Sequence, residues 1–584
     1  MRYIVTPDFG EGGEVLVLKR CNVIGAIAAA ASLGLAASLA VAAPPGLVVL
    51  RLENSDFEFR GTLRSFDGDK YVVESSSFGI LSLSAAKYSC EGEGCSDAIP
   101  APSIKETRGT MDFTSDGAVK RISILGPASI SHELMPALIQ DYARSIGGGV
   151  SQLVGSNPEE TAFRLFDSKG TALAEIGLTR SSPAKALADI AKGQAAIALS
   201  TRPVAAAEAT ALAAAAPAAS ATDNEHIIAL DGTAVIVAPG SKIATLPLKT
   251  ITGIFSGQIR NWSEVGLPPA PINIYVASDG AGSTDGIDSF LLDKAGTALS
   301  PSATRLANET EVSDAVTRDP AGIGLTSHAL LRNAKAIGVG TPCGITTWPT
   351  EFGIKAEEYP LGRRVYLYTA GRPAMADAEK LIKFTSSDAA QVTIGSSQFM
   401  NQSVVTSASA DQSARVAGWL ENGTVGLEDQ KAAQVFLTQV KEASRLSLTF
   451  RFAMGSSQLD AKGRDDLGRL AALLATPEFK SKVVLLAGFT DSVGSAAANA
   501  RLSQRRAEQV MDALFELAPK RSLDAARIKT QGYGAIAPVV CNDEETGSQK
   551  NRRVEVWVYD QPPKAITGTP QEQRSAVADK KRGT

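Results

Sequence analysis

Two residues of opposite charge, Asp491 and Arg506, occupy positions where charged side chains are unusual. Asp491 follows the apolar run Val483 to Gly488, at the turn between a predicted strand and a predicted helix. At about 100° per residue, Arg506 falls on the apolar arc of that helix with Ala507 and Val510. A covered guanidinium group is costly unless it meets a carboxylate or a bound anion. An internal salt bridge to Asp491 and a pair that clamps a ligand fit this spacing equally well.

Four short motifs surround this pair and occur in a fixed order along the C-terminal part of the chain. They are Thr490-Asp491 with Gly494, Asn499, Leu502-Ser503 with Arg506-Ala507, and Asn551-Arg552-Arg553-Val554. The stretch resembles the OmpA-like peptidoglycan-binding domain, whose signature is a TD-x-x-G turn, an Asn, an LSxxRA helix start and a closing NRRV strand. This resemblance favours the ligand clamp over the internal salt bridge.

The resemblance also implies roles for individual residues. Asp491 would bind the ammonium group of the diaminopimelate side chain in the wall peptide, and Arg506 would bind its carboxylate. Asn499 and Arg552 would complete the peptidoglycan-binding site. Arg505 falls on the solvent arc of the same helix, so we expect it to be exposed and dispensable for wall binding.

Small polar residues precede three predicted helices in the central part of the chain. Helix N-termini present unpaired N–H groups and a positive dipole end, so small residues there let an oxyanion approach closely. The candidate anion-binding residues are Ser129, Ser200, Thr201, Arg202, Gly282, Ser283 and Thr284. Each serine or threonine taken alone is better explained as a plain helix N-cap.

Residues 120–405 resemble the phosphate-type substrate-binding proteins of ABC transporters. The resemblance rests on passages such as GPASISHELMPAL, ALSTRPV, LDGTAVIVAPGS, IFSGQIRNWSEVG, DGAGSTDGIDSF and YPLGRRVYLYT. It implies two α/β lobes that close on an anion. Two departures matter: the segment from Ala277 to Thr284 lacks the family's Arg, and Thr201 replaces the acidic residue that accepts the proton of hydrogen phosphate. Phosphate is therefore the expected ligand, with another oxyanion or a lost ligand function as the alternatives.

The composition describes an ordinary multidomain globular protein. The chain has 584 residues, of which 44% are hydrophobic, a formal net charge of -4 and a pI near 5.7. This length predicts several domains, and the absence of a basic cluster argues against nucleic-acid binding. The three histidines, His132, His226 and His328, have no metal-ligand spacing and no paired nucleophile. We therefore predict no enzymatic activity, no metal and no cofactor.

An apolar run over residues 22–43 follows Lys19-Arg20 and ends in small residues with Ala40 and Ala42 in A-x-A spacing. This pattern is typical of a secretory signal, and an uncleaved membrane anchor is the alternative. Acidic residues within positions 1–18 indicate that the start site is assigned too early. Both alternatives predict export, with a periplasmic, wall-associated location or a further association with the outer membrane.

Export permits disulfides among the four cysteines that follow the signal. Cys90 and Cys95 enclose a short flexible loop and are the predicted pair. Cys343 and Cys541 fall in different predicted domains, so we expect them to be buried single thiols.

The predicted fold is multidomain, with a small all-β module, a two-lobed α/β periplasmic-binding-protein fold and a C-terminal α/β OmpA-like sandwich. Short β-type segments predict a small barrel or sandwich for the first module, and alternation of strands and helices predicts the α/β sheets. The predicted boundaries are a signal at 1–43, the β module at 44–96, a linker at 97–119, the substrate-binding domain at 120–405, a linker and helix at 406–445, the OmpA-like domain at 446–560 and a disordered tail at 561–584.

Two functions of different classes follow from these features. In the first, the C-terminal domain binds peptidoglycan noncovalently while the central lobes capture phosphate or a similar oxyanion, with an ABC permease as a further candidate partner. In the second, the protein is a structural or sensory envelope protein whose central lobes bind a partner instead of a small anion. The missing Arg favours the second function.

Overall fold

The computed structural model describes residues 47–561, except for 53–57, 67–69, 76–78, 85–87, 93–94, 96–118, 154–159, 218–223, 279–291, 293–294, 374, 398, 423–425, 453–458, 518–522 and 543–548. The predicted signal sequence and residues 562–584 of the predicted tail lie outside these ranges. The chain divides into two compact units, residues 1–98 and 99–584. In the described part of the chain, no helix is both long and apolar enough to cross a membrane.

The first unit is a five-stranded antiparallel sheet. Its strands are β1 (Leu47–Leu52), β2 (Glu58–Phe66), β3 (Lys70–Ser75), β4 (Gly79–Ser84) and β5 (Tyr88–Glu91). They pair in the order β4-β3-β2-β1-β5. Cys90 and Cys95 form a disulfide at the end of β5. The prediction of a small all-β module is confirmed. Its described strands form one five-stranded sheet, in which no pairing of β4 with β5 closes a barrel.

The second unit begins with the predicted two-lobed α/β domain. Its strands are β6 (Arg121–Gly126), β7 (Gly149–Leu153), β8 (Glu160–Phe166), β9 (Ala172–Arg180), β10 (Ile197–Ser200), β11 (Glu225–Val237), β12 (Thr245–Pro247), β13 (Asn273–Ala277), β14 (Thr304–Leu306), β15 (Gly322–Ser327), β16 (Lys335–Ala336), β17 (Gly338–Gly340), β18 (Thr346–Thr347) and β19 (Gly362–Tyr368). Its helices are α1 (Met135–Ser145), which follows a π-helical turn (Ser129–Leu134), α2 (Pro183–Ala191), α3 (Ala206–Ala215), α4 (Leu248–Phe255), α5 (Glu309–Arg318), α6 (Glu351–Lys355), α7 (Ala376–Thr385) and α8 (Asp388–Ser396).

Lobe 1 is built on the strand order β11-β19-β10-β6-β9-β8-β7, and lobe 2 on β14-β13-β15-β11 with the small sheet β12-β17-β18. The long strand β11 belongs to both lobes. Its first half pairs with β19 and its second half, from Thr233, pairs with β15. Buried apolar residues cover both faces of the lobe 1 sheet, as the near-continuous apolar strands predict. Strands β11 and β19 are therefore the crossing point between the lobes.

The C-terminal domain has helices on both faces of one sheet. Its strands are β20 (Thr406–Ala408), β21 (Ser444–Arg451), β22 (Val483–Gly488), β23 (Ile528–Gly532) and β24 (Arg553–Tyr559), in the order β20-β21-β24-β22-β23. Its helices are α9 (Ser409–Asn422), α10 (Leu427–Val440), α11 (Ala461–Ala475) and α12 (Ala496–Leu517). Helices α11 and α12 cover one face, while α9 and α10 cover the other.

The segment 406–445, predicted as a linker and helix, is part of this domain. Strand β20 extends the sheet as an edge strand on β21. On α10, Phe436 packs edge-on against Phe489 and Trp557, with ring centroids 5.4 and 5.5 Å apart. The small and polar composition that predicts a spacer is also compatible with an edge strand and amphipathic helices, and burial of aromatic surface decides between them.

Cys343 and Cys541, which are 198 positions apart in the sequence, form a second disulfide. The expectation of two buried single thiols was therefore wrong. Cys343 lies in lobe 2 and Cys541 in the C-terminal domain, so the pairing depends on how the two domains pack. A spacing rule within one domain does not detect such a pair.

Candidate binding sites

A cluster of buried charged side chains, called the charged pocket below, lies at the carboxyl end of β22. Gly488, at the end of this strand, pairs in register with Gly532 of β23, and α12 crosses directly over both. A side chain at Gly488 would meet the Ser503 carbonyl oxygen, and one at Gly532 would meet the Gln504 amide. The two glycines therefore let the first turns of α12 rest on the sheet.

Asp491 pairs with Arg552 in this pocket. The Arg552 Nη1 donates to Asp491 Oδ2 at 2.8 Å, and both side chains are almost fully buried. The Asn499 Nδ2 donates to the Asp491 backbone carbonyl at 3.4 Å and ties α12 to the same turn. The internal salt bridge between Asp491 and Arg506 that the spacing allowed is absent among the described residues.

Arg506 is 1% exposed, so the prediction that this guanidinium is covered is confirmed. Among the described residues, its Nε and Nη1 atoms have no hydrogen-bond partner. The guanidinium carbon lies 5.2 Å from the centre of the Phe452 ring, which offers a cation–π contact and no hydrogen bond. Arg505 is exposed, as expected. In the described part of the chain, Arg506 is thus a desolvated cation that lacks hydrogen-bond acceptors for two of its nitrogens.

Desolvation and the neighbouring Arg552 lower the pKa of Arg506 to about 10, while Asp491 raises it. A carboxylate entering the pocket would supply acceptors for Nε and Nη1 and would favour the charged form. The arrangement can therefore bind an anionic group at Arg506 beside the Asp491 carboxylate. The sequence pointed to Asp491, Asn499, Arg506 and Arg552, which the structure brings together. It did not reveal Phe452, which directly follows strand β21 and whose ring contacts Arg506.

The predicted anion-binding residues of the central domain fall into two groups. Ser129, Ser200, Thr201 and Arg202 lie in lobe 1, while Gly282, Ser283 and Thr284 lie outside the described residues. Ser129 begins the π-helical turn before α1, and its hydroxyl is buried without a partner in the described part of the chain. Among the described residues, this hydroxyl therefore makes no hydrogen bond.

Ser200 and Arg202 are engaged within lobe 1. The Ser200 hydroxyl donates to the Arg202 carbonyl at 2.6 Å and accepts from the Arg202 amide at 3.1 Å. The Arg202 guanidinium forms a two-armed ion pair with Glu208, at 2.8 and 2.7 Å. Glu208 also accepts from the Ala205 amide and so caps α3. Arg202 is therefore paired with Glu208, the residue that caps α3, and Thr201 is buried beside Arg202.

A separate cavity of about 190 Å³ lies at the crossing point of the lobes, lined by residues that include Asp231, Ser327, His328, Glu351 and Asn401. Of the predicted anion-binding residues that the structure describes, Ser129, Ser200, Thr201 and Arg202, none lines it. The Asp231 carboxylate is satisfied by Arg363, at 2.9 and 2.5 Å, and by the Ser327 hydroxyl at 3.0 Å. Burial lowers the pKa of His328. The cavity thus lies where the two lobes join, and the buried ion pair between Asp231 and Arg363 stabilises that junction.

Comparisons with known proteins agree with the two resemblances. Residues 170–389 match the PBP superfamily domain, and residues 451–552 match the OmpA family. The chain thus carries a phosphate-binding-protein-like domain followed by an OmpA-like domain. Both are families of binding proteins.

Individual relatives match one domain each. The probable lipoprotein YiaD of Escherichia coli is 38% identical over 105 residues, which are 18% of this chain and 45% of that protein. Outer membrane porin F of Pseudomonas fluorescens is 36% identical over 119 residues, 20% of this chain and 35% of that protein. The phosphate-binding protein PstS of Borreliella burgdorferi is 24% identical over 181 residues, 30% of this chain and 65% of that protein. The chain therefore spans less than two thirds of each of these relatives.

Among solved structures, an ABC-type phosphate transport receptor from Vibrio cholerae is similar over 48% of this chain and 99% of that chain, with 20% identity and a TM-score of 0.37. The cell wall anchor of the type VI secretion system from Pseudomonas aeruginosa is similar over 20% of this chain and 82% of that chain, with 30% identity and a TM-score of 0.17.

Proposed function

We propose that this chain is an exported cell-envelope protein that binds peptidoglycan noncovalently through its C-terminal domain and captures a small oxyanion in its two-lobed domain. The names of the relatives, which include outer-membrane proteins, lipoproteins and a phosphate-binding protein, support a periplasmic, wall-associated location. Association with the outer membrane and delivery of the oxyanion to an ABC permease extend this proposal.

The observation that carries the proposal is the desolvated Arg506 guanidinium. Its Nε and Nη1 atoms are buried without acceptors among the described residues, which is costly for a group that serves only the fold. A peptide carboxylate would complete its hydrogen bonds, and the ammonium group of the same zwitterionic side chain would meet Asp491. Diaminopimelate in the wall peptide carries both groups in one side chain.

A pull-down with diaminopimelate-containing sacculi tests wall binding. We expect Arg506→Ala and Asp491→Ala to abolish sedimentation of the full chain with sacculi, while Arg505→Ala behaves as wild type. Arg505 is the matched control because it has the same charge, lies on the same helix and is exposed. Retained binding by Arg506→Ala, or equal losses from Arg505→Ala and Arg506→Ala, would refute the assigned role.

Oxyanion capture is supported by the unpartnered Ser129 hydroxyl at the start of the helical segment in lobe 1. Titration of the full chain with phosphate, and separately with sulfate, by calorimetry tests this part of the proposal. Binding tighter than millimolar that is weakened by Ser129→Ala is the expected result. An absence of heat for both anions would reject capture.

A second function, in which the lobes bind a protein partner and no small anion, is favoured by one specific observation. Arg202, the basic residue among the predicted anion-binding residues, forms an ion pair with Glu208. The segment from Ala277 to Thr284 offers no basic residue in its place. Absence of anion binding in the titration, with wall binding retained, is the result that this second function predicts.

A further inference from the structure

The C-terminal domain packs against the crossing strands that join the two lobes. Lobe 1 and lobe 2 are connected through β11 and β19, so any change in the angle between them must bend these strands. At the crossing point, Arg363 of β19 pairs with Asp231 of β11. The next residue, Arg364, points away from this pair and contacts residues of two other elements.

On the lobe 2 side, buried ion pairs join β21 to the loop after α6. Arg445 donates to Glu358 at 2.5 Å, and neither side chain is more than 7% exposed. Arg451 forms an ion pair with Glu357 and donates to the Ala356 carbonyl at 2.8 Å. The Cys343–Cys541 disulfide adds a covalent link between lobe 2 and the same domain. Lobe 2 and the C-terminal domain are thus held at three places.

At the crossing strands themselves, Arg364 bridges the two domains. Its guanidinium forms an ion pair with Glu357 of lobe 2 and, through Nη1, with Asp460 Oδ2 at 2.8 Å. Asp460 is also the N-cap of α11, where it accepts from the Gly463 amide at 2.7 Å. The first turn of α11 is therefore fixed to a strand that must bend if the lobes move.

On the lobe 1 side, hydrogen bonds fix the segment that leads into the C-terminal domain at both of its ends. Met400 pairs with Leu230 of β11, and the Gln402 side chain donates to the Ile227 carbonyl at 2.8 Å. The Ser447 hydroxyl of β21 accepts from the Val405 amide at 3.1 Å. The C-terminal domain is consequently anchored to both ends of the crossing strands.

We infer that the C-terminal domain acts as a splint across the crossing strands and fixes the angle between lobe 1 and lobe 2. Opening the lobes would separate Arg364 from Asp460 or Arg451 from Glu357, and each separation takes one carboxylate away from a largely covered guanidinium group. The disulfide prevents lobe 2 from leaving the C-terminal domain. These contacts lie at the domain interface and do not depend on which oxyanion or partner the lobes bind.

Distance measurements between the lobes test this splint in the full chain. Spin labels are placed on p-acetylphenylalanine introduced at Lys192 of lobe 1 and Lys249 of lobe 2, both exposed. The labels couple to the keto group of p-acetylphenylalanine, so no cysteine is modified. Double electron–electron resonance of the otherwise wild-type protein should give one narrow distance distribution. The triple variant Cys343→Ser, Cys541→Ser and Asp460→Asn should give a distribution at least twice as wide.

The matched control is Cys90→Ser with Cys95→Ser, which removes the other disulfide and should leave the distribution unchanged. Equal widths in the triple variant and the wild type would overturn the splint, as would a broad distribution in the wild type. Asp460→Asn alone keeps an N-cap oxygen for α11 and provides a variant that does not depend on loss of the disulfide. It should widen the distribution by an intermediate amount, and an unchanged width would also count against the inference.

Discussion

Arg552, and not Arg506, neutralises Asp491. The Arg552 Nη1 lies 2.8 Å from Asp491 Oδ2, while Arg506 sits against Phe452 with two guanidinium nitrogens that lack acceptors in the described part of the chain. Among the described residues, two buried cations therefore meet one carboxylate at this place. An anionic group from a ligand would balance the second cation.

Replacing Arg506 by Met should separate stability from binding. The substitution removes an unpaired buried charge and retains most of the apolar contact with Phe452, so we expect the free energy of unfolding to rise by about 1 to 2 kcal/mol. Binding to sacculi should be lost at the same time. Urea unfolding and the pull-down measure the two effects, and a destabilised Arg506→Met protein would show that Arg506 serves the fold.

Breaking the Asp491–Arg552 pair should have the opposite effect on stability. Asp491→Asn leaves Arg552 and Arg506 without a negative charge, and removal of one partner of a buried pair typically costs about 3 to 5 kcal/mol. Urea unfolding of the full chain should show this loss in the transition of the C-terminal domain. Lys482→Ala is the control, since its partner Asp560 is exposed and the pair should contribute less than about 1 kcal/mol.

The pH dependence of stability should report on Glu555. Burial alone would raise the pKa of Glu555, but the guanidinium groups of Arg445, Arg553 and Arg415 lower it to about 2. The folded pKa thus lies below the unfolded value near 4.3, so ionised Glu555 contributes stability above about pH 4.5 that disappears as the pH falls toward 2. The contribution is on the order of 3 kcal/mol.

Comparison of wild type with Glu555→Gln isolates this contribution. The difference in their free energies of unfolding, measured by urea titration, should be constant from pH 7 to about 5 and should shrink steadily below that. A difference that does not change between pH 5 and pH 3 would contradict a depressed pKa for this carboxyl group.

Arg202 and Ser129 should differ in their effects on the central domain. Arg202→Ala removes the two-armed pair with Glu208 at the start of α3, so we expect a loss of about 1 kcal/mol in stability. Calorimetric titration with phosphate should give the same affinity as wild type. Ser129→Ala should instead weaken phosphate binding with little change in stability, and a reversed pattern would place Arg202 in the anion site.

Helical and strand periodicity predicted what depends on local sequence. The covered position of Arg506 and the exposed position of Arg505 follow from their places on α12, one residue apart. The alternating strands and helices of both α/β domains follow from the same kind of pattern. These features depend on residues that lie within one or two helical turns of each other in the sequence.

Features that depend on packing between distant segments were not predictable in this way. Arg552 reaches Asp491 from 61 positions away, and Cys343 meets Cys541 across two domains. In the same way, β20 joins the sheet only because β21 offers it an edge. Each of these pairings depends on the tertiary arrangement, which apolar periodicity does not encode.

The position of segment 406–445 in the sheet limits how far the two-lobed domain can move relative to the C-terminal domain. A flexible tether of this length would let an attached domain sweep roughly 35 Å around its anchor. With β20 paired to β21 and α10 packed on the sheet, that sweep is absent. When the chain is bound to the wall through Arg506, its two-lobed domain would stay at a fixed distance and orientation from the wall. The ligand or partner would then have to diffuse to that domain.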